Sequence, residues 1–98
     1  MTQTLISKLR EFFSTQPVEK AWLFGSYSRG EETENSDIDI LVSYSPGYRP
    51  GLFGICRLTE SLENLLGIKV DLVENGTLYP SVAKEVEQDK IQIYERTA

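Results

Sequence analysis

The sequence predicts an α/β (α+β) domain, with a small mixed sheet of three to four strands flanked by helices in the order α-β-α-β-α-β-α-β. Three observations support this prediction. Some apolar residues recur at helical spacing, others form short strand-like runs, and clusters of glycine and proline separate the two kinds of segment. The 98 residues leave room for one domain, residues 1–98, and show no internal repeat or linker.

The first half of the chain begins with a helical stripe formed by Leu5, Ile6, Leu9, Phe12 and Phe13. This stripe predicts an amphipathic helix over about residues 3–14, which Pro17 closes. The apolar run at 21–24 stops at Gly25 and predicts a buried strand. Residues 26–29 can then form one helical turn that ends at Gly30. An acidic surface connection follows at 31–35.

The middle of the chain predicts a second strand and a long helix. Residues 36–42 alternate in polarity before they become apolar, as in a strand whose second half is interior. Proline and glycine interrupt regular structure between Tyr44 and Leu52. A second helical stripe then ends at Gly67 and is formed by Leu52, Ile55, Leu58, Leu62, Leu65 and Leu66.

The last third predicts a strand at 69–73, a helix at 80–88 and an edge strand at 91–94. In this last helix the side chains expected to point inward are Val82, Ala83 and Val86. Elsewhere in the chain, Trp22, Phe24 and Cys56 are most simply interpreted as core residues.

Composition excludes several classes of protein. The formal net charge is −5 and the ten basic residues are scattered, so we expect no direct binding of nucleic acid. No run of about 18 apolar residues predicts a membrane span. Residues 1–4 lack the features of a signal peptide and Cys56 is the single cysteine, so a cytoplasmic location is expected.

The most informative motif is Gly25-Ser26, followed after ten residues by Asp37-Ile38-Asp39. Side chains alternate along a strand, so Asp37 and Asp39 are expected on one face, roughly 6 to 7 Å apart, with Ile38 in the core. Gly25 lets the backbone approach a phosphate, and Ser26 begins a helical turn whose N–H groups point outward. Two carboxylates beside such a turn predict a site for a nucleoside triphosphate and its metal ions. The alternatives are a plain strand-to-helix turn and an acidic, solvent-facing strand start.

A third carboxylate is expected beside this pair. A helical crossover usually joins parallel neighbouring strands, which would bring Asp71 next to Asp37 and Asp39. Val70 and Leu72 would then point to the opposite face, into the core. The alternative is an edge-strand Asp that is merely exposed.

Together these residues resemble the minimal nucleotidyltransferase (MNT) family of the DNA polymerase β-like nucleotidyltransferase superfamily. The matching segments are residues 25–30, 36–42 and 70–73. The resemblance implies the nucleotidyltransferase fold, one or two Mg²⁺ ions and ATP as substrate. It implies that Asp37, Asp39 and Asp71 are the metal ligands and catalytic residues, with Asp71 drawing the proton from the acceptor hydroxyl.

Some neighbouring residues have two interpretations each. Gly25 and Ser26 are expected to hold the β and γ phosphates, and Arg29 to neutralise a triphosphate oxygen. A salt bridge from Arg29 to an acidic residue at 31, 32 or 34 is the alternative. Tyr48 and Arg49 could stack on a base or touch a partner, or simply form an exposed loop.

The implied reaction is transfer of AMP from ATP to a hydroxyl. Because 98 residues leave no second domain to frame a small substrate, a folded protein is the expected acceptor. Stand-alone members of the family look like antitoxins that act on a HEPN-domain ribonuclease toxin, some by adding AMP to a toxin tyrosine, which implies a hetero-oligomer with the toxin. The alternatives are an antitoxin that acts by binding alone and a nucleotidyltransferase for a small molecule.

Overall fold

The structure, a computed structural model, describes residues 3–97; Met1 and Thr2, which belong to the segment without signal-peptide features, and Ala98 lie outside the described residues. Helices and strands alternate in the predicted order. They are α1 (Gln3–Ser14), β1 (Val18–Phe24), α2 (Ser26–Arg29), β2 (Ile38–Tyr44), α3 (Gly51–Leu66), β3 (Val70–Glu74), α4 (Pro80–Asp89) and β4 (Ile91–Glu95).

The four strands form one mixed sheet in the order β3-β2-β1-β4. β1 runs antiparallel to both β2 and β4, whereas β2 and β3 are parallel. The parallel pair is joined through α3, as predicted from the need for a crossover. β4 is an edge strand, which confirms the prediction for the end of the chain.

Alternation along the strands gives the sheet two different faces. On the closed face, Ile38 and Ile40 of β2 pack with Leu9 of α1 and Leu62 of α3 in the larger core cluster. On the open face, Leu41 packs in a small cluster with Trp22 and Val86 of α4. Asp39 lies between two closed-face residues of β2, so its side chain belongs to the open face.

The helices depart from the prediction at several positions that were expected to be buried. Leu52 in the first turn of α3 is 75% exposed, and Leu65 is also exposed, although both belong to the predicted stripe. At 3.6 residues per turn, Leu52 and Leu65 lie roughly 80° and 60° around α3 from the buried Leu62, so both side chains are at the margins of the buried face. Cys56, predicted in the core, is exposed, because it lies off the inward stripe that contains Leu62.

Two further predictions need correction. Val82 is 43% exposed rather than inward, since α4 covers the open face through its C-terminal half, where Val86 is buried. β1 begins at Val18, three residues before the predicted apolar run, because Val18 pairs with Tyr44 across a bulge. Trp22 is buried and Phe24 is partly buried against the same open-face cluster, as expected.

Within residues 3–97 there is no helix with the length and apolar character that crossing a membrane would require.

Candidate active site at the end of β1

A tight turn at Gly25 connects β1 to α2. Gly25 has φ of 73° and ψ of −154°, a conformation that side chains with a Cβ rarely adopt. The Gly25 carbonyl accepts hydrogen bonds from the Ser28 hydroxyl at 2.7 Å and from the Ser28 N–H at 3.1 Å. Gly30 ends the helix in the left-handed conformation, as predicted. The turn is therefore fixed, and the first two N–H groups of α2, those of Ser26 and Tyr27, have no partner within the helix.

The Asp39 carboxylate lies directly against this turn. Phe24 pairs with Asp39 across β1 and β2, which brings Gly25 beside that side chain. A Cβ atom at Gly25 would collide with Oδ2 of Asp39 and would lie 3.1 Å from its Cγ. Glycine is required here for a second reason besides its backbone angles, because only a missing side chain leaves room for the carboxylate.

The structure brings the predicted carboxylates together at one end of the sheet. Asp39 and Asp71 are direct register partners in the parallel pair of β2 and β3. Asp37 was predicted to lie in β2, but the strand begins at Ile38 and Asp37 immediately precedes it. Asp37 and Asp71 are exposed and Asp39 is partly buried. Val70 is buried on the closed face, as the alternation of β3 predicts.

Electrostatics show that the three carboxylates interact. Burial raises the pKa of Asp39, and the negative charges of Asp71 and Asp37 raise it further. Arg29 acts in the opposite direction. Asp39 is thus a partly desolvated acid in a local excess of negative charge, which a cation would relieve.

The donor set fits Mg²⁺, although no closed ligand shell is present. Within residues 3–97, no group of three His, Cys, Asp or Glu side chains is arranged to hold one ion. Mg²⁺ does not need such a shell, because it is commonly bound by one or two carboxylates together with substrate phosphates and water. Hard carboxylate oxygens beside a phosphate-sized turn are the ligands it prefers. The assignment of Asp37, Asp39 and Asp71 as its ligands stays a prediction.

Arg29 makes ion pairs that occupy part of its guanidinium group. Its Nε donates to Oε1 of Glu31 at 2.6 Å, the salt bridge given above as the alternative to a phosphate contact. Its Nη1 donates to Oδ2 of Asp89 at 2.9 Å. These hydrogen bonds raise the pKa of Arg29 above its ordinary value. Asp89 was missed in the sequence, since no local pattern relates residues 60 positions apart.

The loop that contains Tyr48 and Arg49 follows the far end of β2. The Tyr48 ring packs 5.8 Å from that of Tyr44, the last residue of β2. Tyr44 lies five positions after Asp39 along β2, a distance of roughly 17 Å. The position disfavours base stacking by this loop, and both a partner contact and a simple exposed loop stay as its interpretations.

Comparison with known proteins assigns the family. Residues 7–98 match the family model described as polymerase beta, nucleotidyltransferase. A Methanocaldococcus jannaschii protein named provisionally as a protein adenylyltransferase is 46% identical over 72 residues, which are 72% of each chain. Protein adenylyltransferase MntA of Thermococcus cleftensis is 42% identical over 86 residues, 88% of this chain and 82% of the relative.

A solved structure shares both the fold and part of the sequence. It is a crystal structure of a toxin–antitoxin complex with AMP-PNP, with a TM-score of 0.78 and 26% identity, over 94% of this chain and 74% of the other. The predicted nucleotidyltransferase fold is therefore confirmed. With the glycine turn and the paired carboxylates in place, this chain belongs to the polymerase beta nucleotidyltransferase family and is similar to its protein adenylyltransferases.

Proposed function

We propose that this chain is an Mg²⁺-dependent protein adenylyltransferase that acts as an antitoxin in the cytoplasm, with residues 1–98 forming one catalytic domain. It transfers AMP from ATP to a hydroxyl of a protein acceptor, a tyrosine of a cognate HEPN ribonuclease toxin with which it forms a hetero-oligomer. One observation carries the proposal: the Asp39 carboxylate lies against the Gly25 turn and is paired in register with Asp71.

The glycine turn supplies the phosphate contacts in this proposal. Gly25 has no side chain to block a phosphate, and the N–H groups of Ser26 and Tyr27 at the start of α2 are unused within the helix. Backbone N–H groups are good donors to phosphate oxygens. Gly25 and Ser26 would therefore hold the β and γ phosphates, with the α-phosphorus directed towards the carboxylates.

The three carboxylates have different environments that suit different roles. Asp39, partly buried against the turn, and Asp37, just ahead of β2, would hold Mg²⁺ against the triphosphate. When bound, Mg²⁺ supplies neutralisation of the charge on the triphosphate and on the departing pyrophosphate. Asp71 lies on the edge strand β3 and is exposed, so an acceptor from solution can reach it.

Asp71 is the general base of the proposed reaction. It takes the proton of the acceptor hydroxyl, whose oxygen forms a bond to the α-phosphorus while the bond from that phosphorus to the pyrophosphate oxygen breaks. The products are the AMP-modified acceptor and pyrophosphate. Asp71 must therefore be ionised and must stay accessible to a side chain of another protein.

Two features support a protein acceptor. The similar relatives are named protein adenylyltransferases, and a structurally similar chain occurs in a toxin–antitoxin complex with AMP-PNP. The chain also exposes large apolar side chains outside the site, among them Phe53, which is 84% exposed, and Tyr79. Adjacent exposed apolar groups are typical of surfaces that bind other proteins, and Phe53 is adjacent to Leu52, which is 75% exposed.

The test combines the purified chain, its genomic neighbour as acceptor, Mg²⁺ and ATP labelled in the α-phosphate. We expect label on a tyrosine of the acceptor, located by mass spectrometry, and none with Asp39→Ala. Inhibition of the toxin by both proteins without transfer by either would leave an antitoxin that acts by binding alone. Transfer to a small alcohol without a protein acceptor would replace the protein substrate with a small molecule.

A further inference from the structure

The ion pair between Arg29 and Asp89 joins two elements that are distant in sequence. Arg29 is the last residue of α2, which follows the glycine turn, and Asp89 is the last residue of α4, which covers the open face. Together with Glu31, Asp89 fixes two of the three nitrogens of the guanidinium group. These hydrogen bonds, both to residues within the described range 3–97, use Nε and Nη1 of Arg29 and leave its Nη2 available.

Buried contacts and a backbone hydrogen bond fix the position of the C-terminal end of α4, where Asp89 lies. Val86, one turn earlier, is buried in the open-face cluster, and its carbonyl accepts the N–H of Lys90 at 2.8 Å. The Lys90 ammonium lies 4.8 Å from the centre of the Trp22 ring. Backbone and side chain thus hold this corner on both sides of Asp89, while α2 has only four residues and none of them is buried.

We propose that Asp89 is a positioning residue for AMP transfer, which holds the Arg29 guanidinium so that its Nη2 edge faces the triphosphate at the glycine turn. The proposal rests on the proposed function, in which Arg29 contacts a triphosphate oxygen. Asp89 itself touches no substrate. It acts by restricting a side chain that otherwise loses rotamer freedom when ATP binds.

The energetics favour a role in positioning over one in stability. Exposed ion pairs contribute little to folding, because water screens them. The Arg29 and Asp89 side chains are both accessible to water, so their pair adds little to the fold. Orienting the planar guanidinium group before ATP binds has a larger effect on ATP affinity than on folding, since an ordered N–H then reaches phosphate with less loss of rotamer entropy.

The experiment is a double-mutant cycle with Asp89→Asn, Arg29→Ala and the double variant. Each protein is assayed for binding of AMP-PNP with Mg²⁺ by calorimetry, and for KM and kcat in AMP transfer. Glu95→Gln is the matched control, because it breaks the surface pair of Lys20 and Glu95, which joins β1 to β4 at the other end of β1. Asp89→Glu tests whether charge alone restores the effect.

We expect Asp89→Asn to raise both the Kd for AMP-PNP and the KM for ATP about three- to tenfold, with kcat changed less than about twofold. In the Arg29→Ala background it should have no further effect, and Asp89→Glu should recover part of the loss. An unchanged Kd in Asp89→Asn, or an equal loss with Arg29 absent, overturns the proposal. If the wild type binds AMP-PNP but transfers no AMP, the proposed function fails while the Kd cycle still decides the role of Asp89.

Discussion

The two faces of the sheet differ in how completely they are covered. The closed face packs against α1 and α3 and contains most of the fully buried side chains, including Phe13, Leu23 and Leu62. The open face has a small apolar cluster around Trp22, and beside it the carboxylates remain accessible to water. One face thus supplies most of the apolar burial that stabilises the fold, and the other carries charged groups that burial would penalise.

This division explains how so small a domain can carry an acidic site. Three carboxylates in a core would be protonated or would destabilise the fold. Along β2 the alternation of side chains separates the two needs residue by residue, since Ile38 and Ile40 are buried on one face and Asp39 emerges on the other. The cost remains visible in the raised pKa of Asp39.

The strongest test of the division concerns activity. Asp39→Asn is expected to lower the rate of AMP transfer at least about 100-fold, because it removes a negative charge that the proposed Mg²⁺ ion requires as a ligand. Asp37→Asn should act in the same direction. Rates are measured with labelled ATP, and Glu60→Gln, on the exposed side of α3, is the control that keeps native activity. Near-native turnover in either Asp variant would contradict the assignment of the site to the open face.

The second test compares equal truncations on the two faces. Leu23→Ala in the closed-face core is expected to lower the free energy of unfolding by about 3 to 4 kcal/mol, and Leu41→Ala in the open-face cluster by about 2 kcal/mol. Leu23 is enclosed between the sheet and two helices, whereas the cluster of Leu41 lies under α4 alone and can relax. Urea denaturation measures both values. Equal losses would show that the two faces contribute alike.

The third test uses two glycines with similar φ but different ψ. Gly25→Ala and Gly30→Ala both place a Cβ at φ near 70°. The backbone strain is about 1 to 2 kcal/mol at Gly30, in the left-handed region, and larger at Gly25, whose ψ of −154° lies in a region essentially confined to glycine. Only at Gly25 would the new Cβ meet the Asp39 carboxylate, since nothing lies within 4 Å at Gly30. We expect Gly25→Ala to lower AMP transfer at least about tenfold and Gly30→Ala less than about threefold. Similar activity in the two variants would contradict a role in AMP transfer for the contact between the Gly25 turn and Asp39.

The smallest expected effect is on stability in the absence of metal. The pKa of Asp39 is raised above its ordinary value of 3.8 by burial and by the charges of Asp71 and Asp37. Between the ordinary pKa of 3.8 and the raised pKa of the folded state, the folded state binds more protons than the unfolded state. The stability of the fold therefore falls as pH rises through that window. Above the raised pKa the penalty is complete.

Asp39→Asn is accordingly expected to raise Tm at pH 7 without metal. Below pH 3.8, where the wild-type carboxyl is protonated in both the folded and the unfolded state, this gain in Tm should disappear. Adding Mg²⁺ should raise the Tm of the wild type more than that of the variant. Thermal unfolding with and without Mg²⁺ measures both. A lower Tm for Asp39→Asn at pH 7 would mean that the carboxylate is already compensated within the fold.

The site was predictable to the extent that it depends on neighbours in sequence or on paired strands. The Gly25 turn and the position of Asp39 follow from local backbone geometry, and the placement of Asp71 follows from the crossover between parallel strands. Asp37 was only approximately placed, because a strand boundary depends on the partner strand as well as on its own sequence.

The amino-acid sequence by itself determined the order of elements, the two-faced character of β2 and the glycine–carboxylate motif, because side-chain alternation and turn geometry act over a few residues. Only the tertiary structure decided that Arg29 meets Asp89 and that Cys56 and Leu52 are exposed. These outcomes depend on how far each helix extends over the sheet and where its end meets another element. Such distances are set by the packing of the whole domain, which no local pattern of residues encodes.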